Sequence, residues 1–237
     1  MEPNYQFFPR TVNDMPQSIR VDLNSKHIID SHPHLIVVVA KYEARENGFP
    51  LNEVFAEMNA FEDALTESLL TKDVYHMGAI TGNGSIDHYF AASSLDALET
   101  YILTNFDKAY SAKSRHNGSK ACFEEFLLPD MYEKNYIYNQ MVCMNMQDKG
   151  ERFENPRDVD FYTYFTTKDQ ADLYAKHFDE FAHTINIEPQ ENESILVHLI
   201  AEIVPSLPFM NGVTDSIVDL IQEYDGDFDG WGSNIIS

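Results

Sequence analysis

Apolar positions along the chain change period several times, and the changes divide it into strands and helices. In residues 4–12, Tyr5, Phe7 and Phe8 mark a short strand, and in 17–23 Ile19, Val21 and Leu23 alternate as a second, with Asn13-Asp14 as the turn. Residues 34–41 hold the unbroken run Leu35-Ile36-Val37-Val38-Val39-Ala40, the pattern of a strand buried in mid-sheet. After a break at Gly48-Phe49-Pro50, Val54, Phe55, Met58, Phe61, Leu65 and Leu69 recur at helical spacing. Asn52 is placed to cap this helix, and Glu53, Glu57, Glu62 and Glu67 lie on its other side. Val74–Ile80 and Ile86–Ala92 read as strands joined by Thr81-Gly82-Asn83-Gly84-Ser85, a strong hairpin signal. Ser93 or Ser94 caps a helix through Leu95, Leu98, Tyr101 and Ile102. Residues 107–119 are polar and read as a loop, and Ala121–Leu128 reads as a closing strand ended by Pro129-Asp130.

A long helix over Met131–Lys149 follows, with the stripe Tyr132, Tyr136, Asn139, Val142, Cys143 and Met146, and Gly150 as its stop. The strand–helix order then repeats. Asp158–Phe165 is a strand, and Thr166 or Thr167 caps a helix with Ala171, Tyr174, Ala175, Phe178 and Phe181 inward. Thr184–Glu188 and Ile195–Val204 are strands about the turn Gln190-Glu191-Asn192-Glu193. Past Pro205-Ser206-Leu207-Pro208, Val213, Ile217, Leu220, Ile221 and Tyr224 mark the last helix, and Asp227–Gly232 makes a short edge strand. There, alternation sets Phe228 and Gly230 on one side and Asp227, Asp229 and Trp231 on the other.

The order β-α-β-β-α-β occurs twice, the first time after an extra hairpin and the second after a helix. It predicts an α+β protein of two ferredoxin-like α/β sandwiches in tandem, each an antiparallel sheet with helices on one face, over 1–129 and 130–237. No run approaches the roughly 20 apolar residues of a membrane span. The opening Met1-Glu2-Pro3-Asn4-Tyr5 lacks the basic and apolar blocks of a signal peptide. Cys122, in a strand-like run, and Cys143, in a helix-like one, read as buried thiols. These features suit the reducing cytoplasm.

The net charge of −23 argues against direct binding to nucleic acid or an anionic membrane, since both need a basic footprint. Residues 130–237 carry a balance of −15 and residues 1–129 a balance of −8, so electrostatic recognition of a basic partner falls on the second half.

The stretch Asn155-Pro156-Arg157-Asp158-Val159-Asp160-Phe161, paired with Tyr224 and the terminal Asp229-Gly230-Trp231-Gly232, resembles the regulator of ribonuclease E activity B family over roughly 131–237. Ile19-Arg20-Val21-Asp22-Leu23, Pro33-His34-Leu35, Gly48-Phe49-Pro50 and Phe61-Glu62-Asp63-Ala64-Leu65 are similar to a family of unknown function, number 695. The first resemblance implies an α+β sandwich that restrains a ribonuclease by binding the enzyme rather than RNA. It carries over no catalytic residue.

Three groups invite a chemical reading. Asp225-Gly226-Asp227-Phe228-Asp229-Gly230 matches the first six positions of a calcium loop, but position 12 is Ile236, and a solvated acidic turn is the plainer reading. His32-Pro33-His34, with His27 and Asp30 near, has a metal-ligand look without a second pair at zinc spacing; histidines near a sheet edge are the alternative. Trp231, the sole tryptophan, is a packing residue or an interface anchor. Arg157 beside Asp158 and Asp160 reads as a salt-bridged strand start or a contact residue. No nucleophile elbow, Walker loop or dinucleotide fingerprint is present, and Gly82-Asn83-Gly84 reads as a turn.

The expectation is therefore a cytoplasmic, non-enzymatic protein without cofactor or metal. It would act by contact with a protein partner, a ribonuclease with a basic segment, through Arg157, Asp158, Asp160, Asp227, Asp229 and Trp231. The rival is a small-molecule-binding or hydrolytic module using the cleft between the halves.

Overall fold

The computed structural model describes residues 2–191 and 193–236. Its contacts divide into two compact units, 1–129 and 130–237, and both are α+β with an antiparallel sheet.

In the first unit the strands are β1 (Tyr5–Val12), β2 (Met15–Asp22), β3 (His34–Lys41), β4 (Val74–Gly82), β5 (Ser85–Ala92) and β6 (Ala109–Arg115). They form one sheet in the order β1-β2-β4-β5-β3-β6. The β1–β2 hairpin turns at Asn13 and Asp14, with φ of 50° and 62°, and the β4–β5 hairpin at Asn83 and Gly84, with φ of 50° and 79°. Two consecutive positive φ values match the twist of the strands they join. Helices α1 (Phe55–Leu70) and α2 (Leu98–Asn105) bury Met58, Phe61, Leu65, Leu69 and Ile102 against Ile36, Val38, Ala40 and Phe90 of the sheet.

Several expectations fail here. Residues 109–115 are a strand, not a loop: β6 pairs with β3 on one side only. An edge strand carries polar and charged side chains without cost, and only Ala112 is buried. Residues 121–127 are helical rather than a strand, so Cys122 lies on a helix: α3 (Ser119–Cys122) runs into a π-helical turn, Phe123–Leu127, and Leu128 is extended. Its buried residues, Phe123 and Leu127, are four apart, a helical period that five residues are too few to display. This segment lies on the sheet face opposite α1. Phe126 meets Tyr89 at 5.7 Å between ring centroids, and its carbonyl accepts from Arg10 at 2.7 Å. Helices thus cover both faces of this sheet, not one. Asn52 does not cap α1; its side chain accepts from Arg45, and the helix has no side-chain cap. Neither Ser93 nor Ser94 caps α2, which starts after Ala97 at φ 54°.

The second unit opens with α4 (Met131–Asp148). Asp130 and Glu133 cap it reciprocally: the Glu133 amide donates to Asp130 at 2.8 Å and the Asp130 amide to Glu133 at 3.0 Å. Strands β7 (Arg157–Phe165), β8 (Thr184–Pro189), β9 (Ile195–Ile203) and β10 (Gly226–Ser233) pair in the order β10-β7-β9-β8. Helix α5 (Lys168–Lys176) has a capping box of Thr167 and Gln170, and α6 (Leu207–Tyr224) carries a proline in its first turn. The two helices cover a core of Val159, Phe161, Phe165, Val197, Leu199 and Ala201. In the β8–β9 turn the Gln190 amide donates to the Ser194 carbonyl at 2.8 Å; Asn192 lies outside the described residues.

One alternation is overturned. Phe228 pairs with Thr163 and Gly230 with Tyr162, so Asp229 is an extra, bulged residue. The bulge shifts the facing of all that follows. Trp231 therefore pairs with Phe161 and is buried, on the opposite side from Asp227.

Candidate functional site

Four acidic residues of the second unit, Glu191, Asp225, Asp227 and Asp229, gather at one end of its sheet. Helix α6 ends with Asp225 at φ 54°, and the chain turns at once into β10. Gly226 must be a glycine, because a Cβ there would come within 2.5 Å of the Phe165 ring. This tight return brings Asp225, Asp227 and Asp229 beside the end of β7 and the β8–β9 turn. An open hollow of about 880 Å³ results, lined by Tyr164, Phe165, Glu191 and the three aspartates together with smaller polar residues. No Lys or Arg is among its described lining residues. The C-terminal end of α6 adds its partial negative charge to the same place, and its last turn holds no basic residue. An aromatic ring beside four carboxylates suits a guanidinium or ammonium group, which pairs with the charge and lays its stem on the ring.

The outward face of β7 carries Asp158 and Asp160, and each has a histidine partner. His183 Nε2 lies 2.9 Å from Asp158, and His198 Nε2 lies 2.7 Å from Asp160. The His198 ring stacks on Tyr162 at 4.8 Å with 8° between planes. Four of the six residues picked from the sequence thus lie on the surface of one sheet, Asp227 and Asp229 in the hollow and Asp158 and Asp160 on its open face.

Arg157 and Trp231 are interior. Arg157 pairs with Glu151 rather than with Asp158 or Asp160, and also donates to the carbonyls of Asn155 at 3.0 Å and Asn234 at 3.2 Å. The guanidinium, with backbone amides of Phe153 and Ile236, holds the Glu151 carboxyl down to about 2. Trp231 takes the packing role: its Nε1–H donates to Asn139 Oδ1 at 2.7 Å, and Asn139 in turn donates to Thr214 at 2.9 Å and Asn211 at 3.0 Å. Asn139 was visible in the α4 stripe as the one amide among apolar and aromatic residues, and that anomaly marked the centre of this network.

The remaining motifs separate. Asp227 and Asp229 lie on a paired strand, so the six-residue match is not folded as a calcium loop. His32 Nε2 lies 3.0 Å from Asp73, whereas His34 accepts from the Asn117 amide at 3.2 Å and meets His116 edge-on at 5.1 Å. They share no ligand set. Cys143 is buried and its thiol donates to the Pro205 carbonyl at 3.7 Å; Cys122 is half-buried. Burial pushes both thiols up, to about 11 and about 12, the range of unreactive cysteines. Among the described residues no helix is long and apolar enough to cross a membrane.

Residues 3–128 match the model of the family of unknown function DUF695, more than half of the chain. The chain belongs to that family. Residues 137–233 match the model of the regulator of ribonuclease activity B, a span that takes in all four strands of the second sheet and the acidic hollow. No curated protein matches the chain. In this DUF695 protein the regulator-like region therefore carries the whole candidate site.

Proposed function

We propose that this chain is a non-enzymatic regulator of an RNA-degrading enzyme of the ribonuclease E type, which it restrains by binding. The match of residues 137–233 to a regulator of ribonuclease activity is the observation that carries this reading. The acidic hollow supports it from the physical side. It rejects the phosphates of RNA and attracts a basic segment of the enzyme, so recognition is of protein by protein. In this reading 1–129 and 130–237 are two independently folding domains, the second a ferredoxin-like sandwich whose uncovered sheet face and acidic end meet the partner in the cytoplasm. The strand order of the second sheet, last-first-third-second, supports that fold.

The test is the cleavage rate of a model RNA by a purified ribonuclease E-type enzyme, with and without the chain, at low and high salt. The rate should fall on addition, and the effect should weaken as salt screens exposed charges within about 8 Å at physiological ionic strength. Neutralising Asp225, Asp227 and Asp229 together to Asn should slow association and flatten the salt dependence. An unchanged cleavage rate together with no measurable binding would refute the proposal.

A further inference from the structure

The core of the first unit contains a polar cluster that neither helix packing nor the proposed regulatory surface uses. Glu62 of α1, His76 of β4 and His88 of β5 each direct a ligand atom inward, and the three atoms lie within 4.8 Å of one another. His88 is fully buried, yet neither Nδ1 nor Nε2 has a hydrogen-bond partner. Its Nδ1 stands 3.7 Å from Glu62 Oε2, beyond hydrogen-bond length. His76 is buried as well, and its Nε2 is unpartnered. Buried polar atoms without partners cost about 1–3 kcal/mol each, so three in one place need a physical reason.

The chemistry of the set supplies one. Two imidazoles and a carboxylate are the donor set of three-ligand zinc sites, in which a fourth position stays open. We propose that Glu62, His76 and His88 bind a single divalent transition-metal ion, zinc in the first instance. An ion central to three atoms at most 4.8 Å apart sits no more than about 2.8 Å from each, against about 2.0–2.2 Å in bound zinc. Movements of under about 1 Å at side-chain tips close that gap. The outer contacts are also in place. His76 Nδ1 lies 2.9 Å from the Tyr5 hydroxyl, so a ring that donates from Nδ1 to Tyr5 leaves Nε2 bare for the metal. Arg20 binds the other oxygen of Glu62 and leaves Oε2 free.

Arg20 also makes a sharp prediction, because its charge opposes a cation. Arg20→Met should therefore tighten binding, whereas a purely structural polar core would only be damaged by the change. Tyr5→Phe should weaken affinity about 10–100-fold, as loss of an outer partner does at metal sites.

The experiment uses the full chain, stripped with a chelator and titrated with Zn²⁺ by calorimetry and with Co²⁺ by visible absorption. One equivalent should bind, with the d–d spectrum of a low-coordinate nitrogen–oxygen site. His76→Phe and His88→Phe, which replace the orphaned nitrogens by apolar rings and so keep the core filled, should each abolish the spectrum while circular dichroism stays native. If either variant unfolds, the wild-type Co²⁺ spectrum and the Arg20→Met titration decide alone. No stoichiometric binding, or binding unaltered in a folded His76→Phe, His88→Phe double variant, would overturn the site and leave a buried water or surface histidines as the explanation.

Discussion

In the second unit, Asn139 sits at zero exposure and uses its amide in both directions, its oxygen accepting from the Trp231 indole N–H and its NH2 donating to Thr214 and Asn211. Arg157 is buried beside Glu151 and reaches two backbone carbonyls besides. In the first unit, His76 and His88 are as deeply buried, but three of their four ring nitrogens have no hydrogen-bond partner. Both sheets are antiparallel and both are covered by amphipathic helices, so the architecture does not force the difference. Satisfied polar groups fix how α4, α6 and β10 pack. Unsatisfied ones oppose folding, and a chain that departs from its own packing rules at one place does so most often where it binds something.

The largest effect should come from breaking the satisfied side. Glu151→Ala strands the Arg157 guanidinium in the core and should cost about 3–5 kcal/mol. Trp231 is the only tryptophan and belongs to the second unit, so its fluorescence in a denaturant titration reads that unit alone. A loss below about 1 kcal/mol would mean that water reaches the pair and that the two cores are less different than they look.

Acid should separate the units in the other direction. Burial holds His88 at about 3 and His76 well below its ordinary 6.5, with Arg20 beside both and Glu62 and Tyr5 facing them. A histidine depressed in the folded state stabilises the metal-free protein fully above about pH 6.5, and that contribution falls away as pH drops toward 3. Glu151, depressed from 4.5 to about 2, keeps its contribution down to about pH 4.5 and loses it only below. Asp87 in the first unit and Asp215 in the second are raised by burial and act in the opposite sense, one in each. Between pH 6 and 4.5 the first unit should thus lose on the order of 1.4 kcal/mol per pH unit for each titrating histidine while the second holds. The check is a thermal melt of the chelator-treated chain at pH 7 and pH 5. The circular-dichroism transition should move at pH 5 while the Trp231 emission transition stays in place. Coincident shifts of both probes would sink the contrast.

The second unit was also the more legible. Thr167 announces the start of α5 by a side chain that does cap, with Gln170 completing the box; Asp130, read only as the end of the preceding strand, turns out to cap α4 with Glu133. Its strands keep a period of two until the bulge at Asp229, which no pattern of apolar residues announces because the bulged residue is an aspartate followed by a glycine. The first unit misleads where tertiary context decides. The polar run in 107–119 contains an edge strand because half of an edge strand's bonds face water. The apolar run 121–127 coils because its two deep residues stand four apart. The histidines differ for a like reason. His32 and His34 stand one residue apart in sequence and stand out, whereas His76 and His88 meet only across a strand pair. Each of the latter did carry a signal, a histidine two residues from an apolar core position, Val74 for His76 and Ile86 for His88.

That difference in legibility can be weighed at two hydroxyls. Thr167→Ala removes a cap whose oxygen accepts from the Gln170 amide and should destabilise the second unit by about 1 kcal/mol. The measurement is again a denaturant titration followed by Trp231 emission. A change within error would mean that Gln170 alone organises the start of α5.

The smallest effect is expected at Ser94, which sequence reasoning also marks as a cap. Its Oγ accepts only from the Asp96 amide at 3.2 Å, on an exposed turn, and α2 begins further on at Leu98 without a side-chain cap. No helical amide is left without its partner when this hydroxyl goes. Ser94→Ala should therefore stay within about 0.5 kcal/mol of wild type, as surface changes away from caps do. A circular-dichroism denaturant titration reads it, since no tryptophan reports on the first unit. A loss of about 1 kcal/mol or more would show that Ser94 holds α2 after all, and the two helix starts would then rest on the same chemistry.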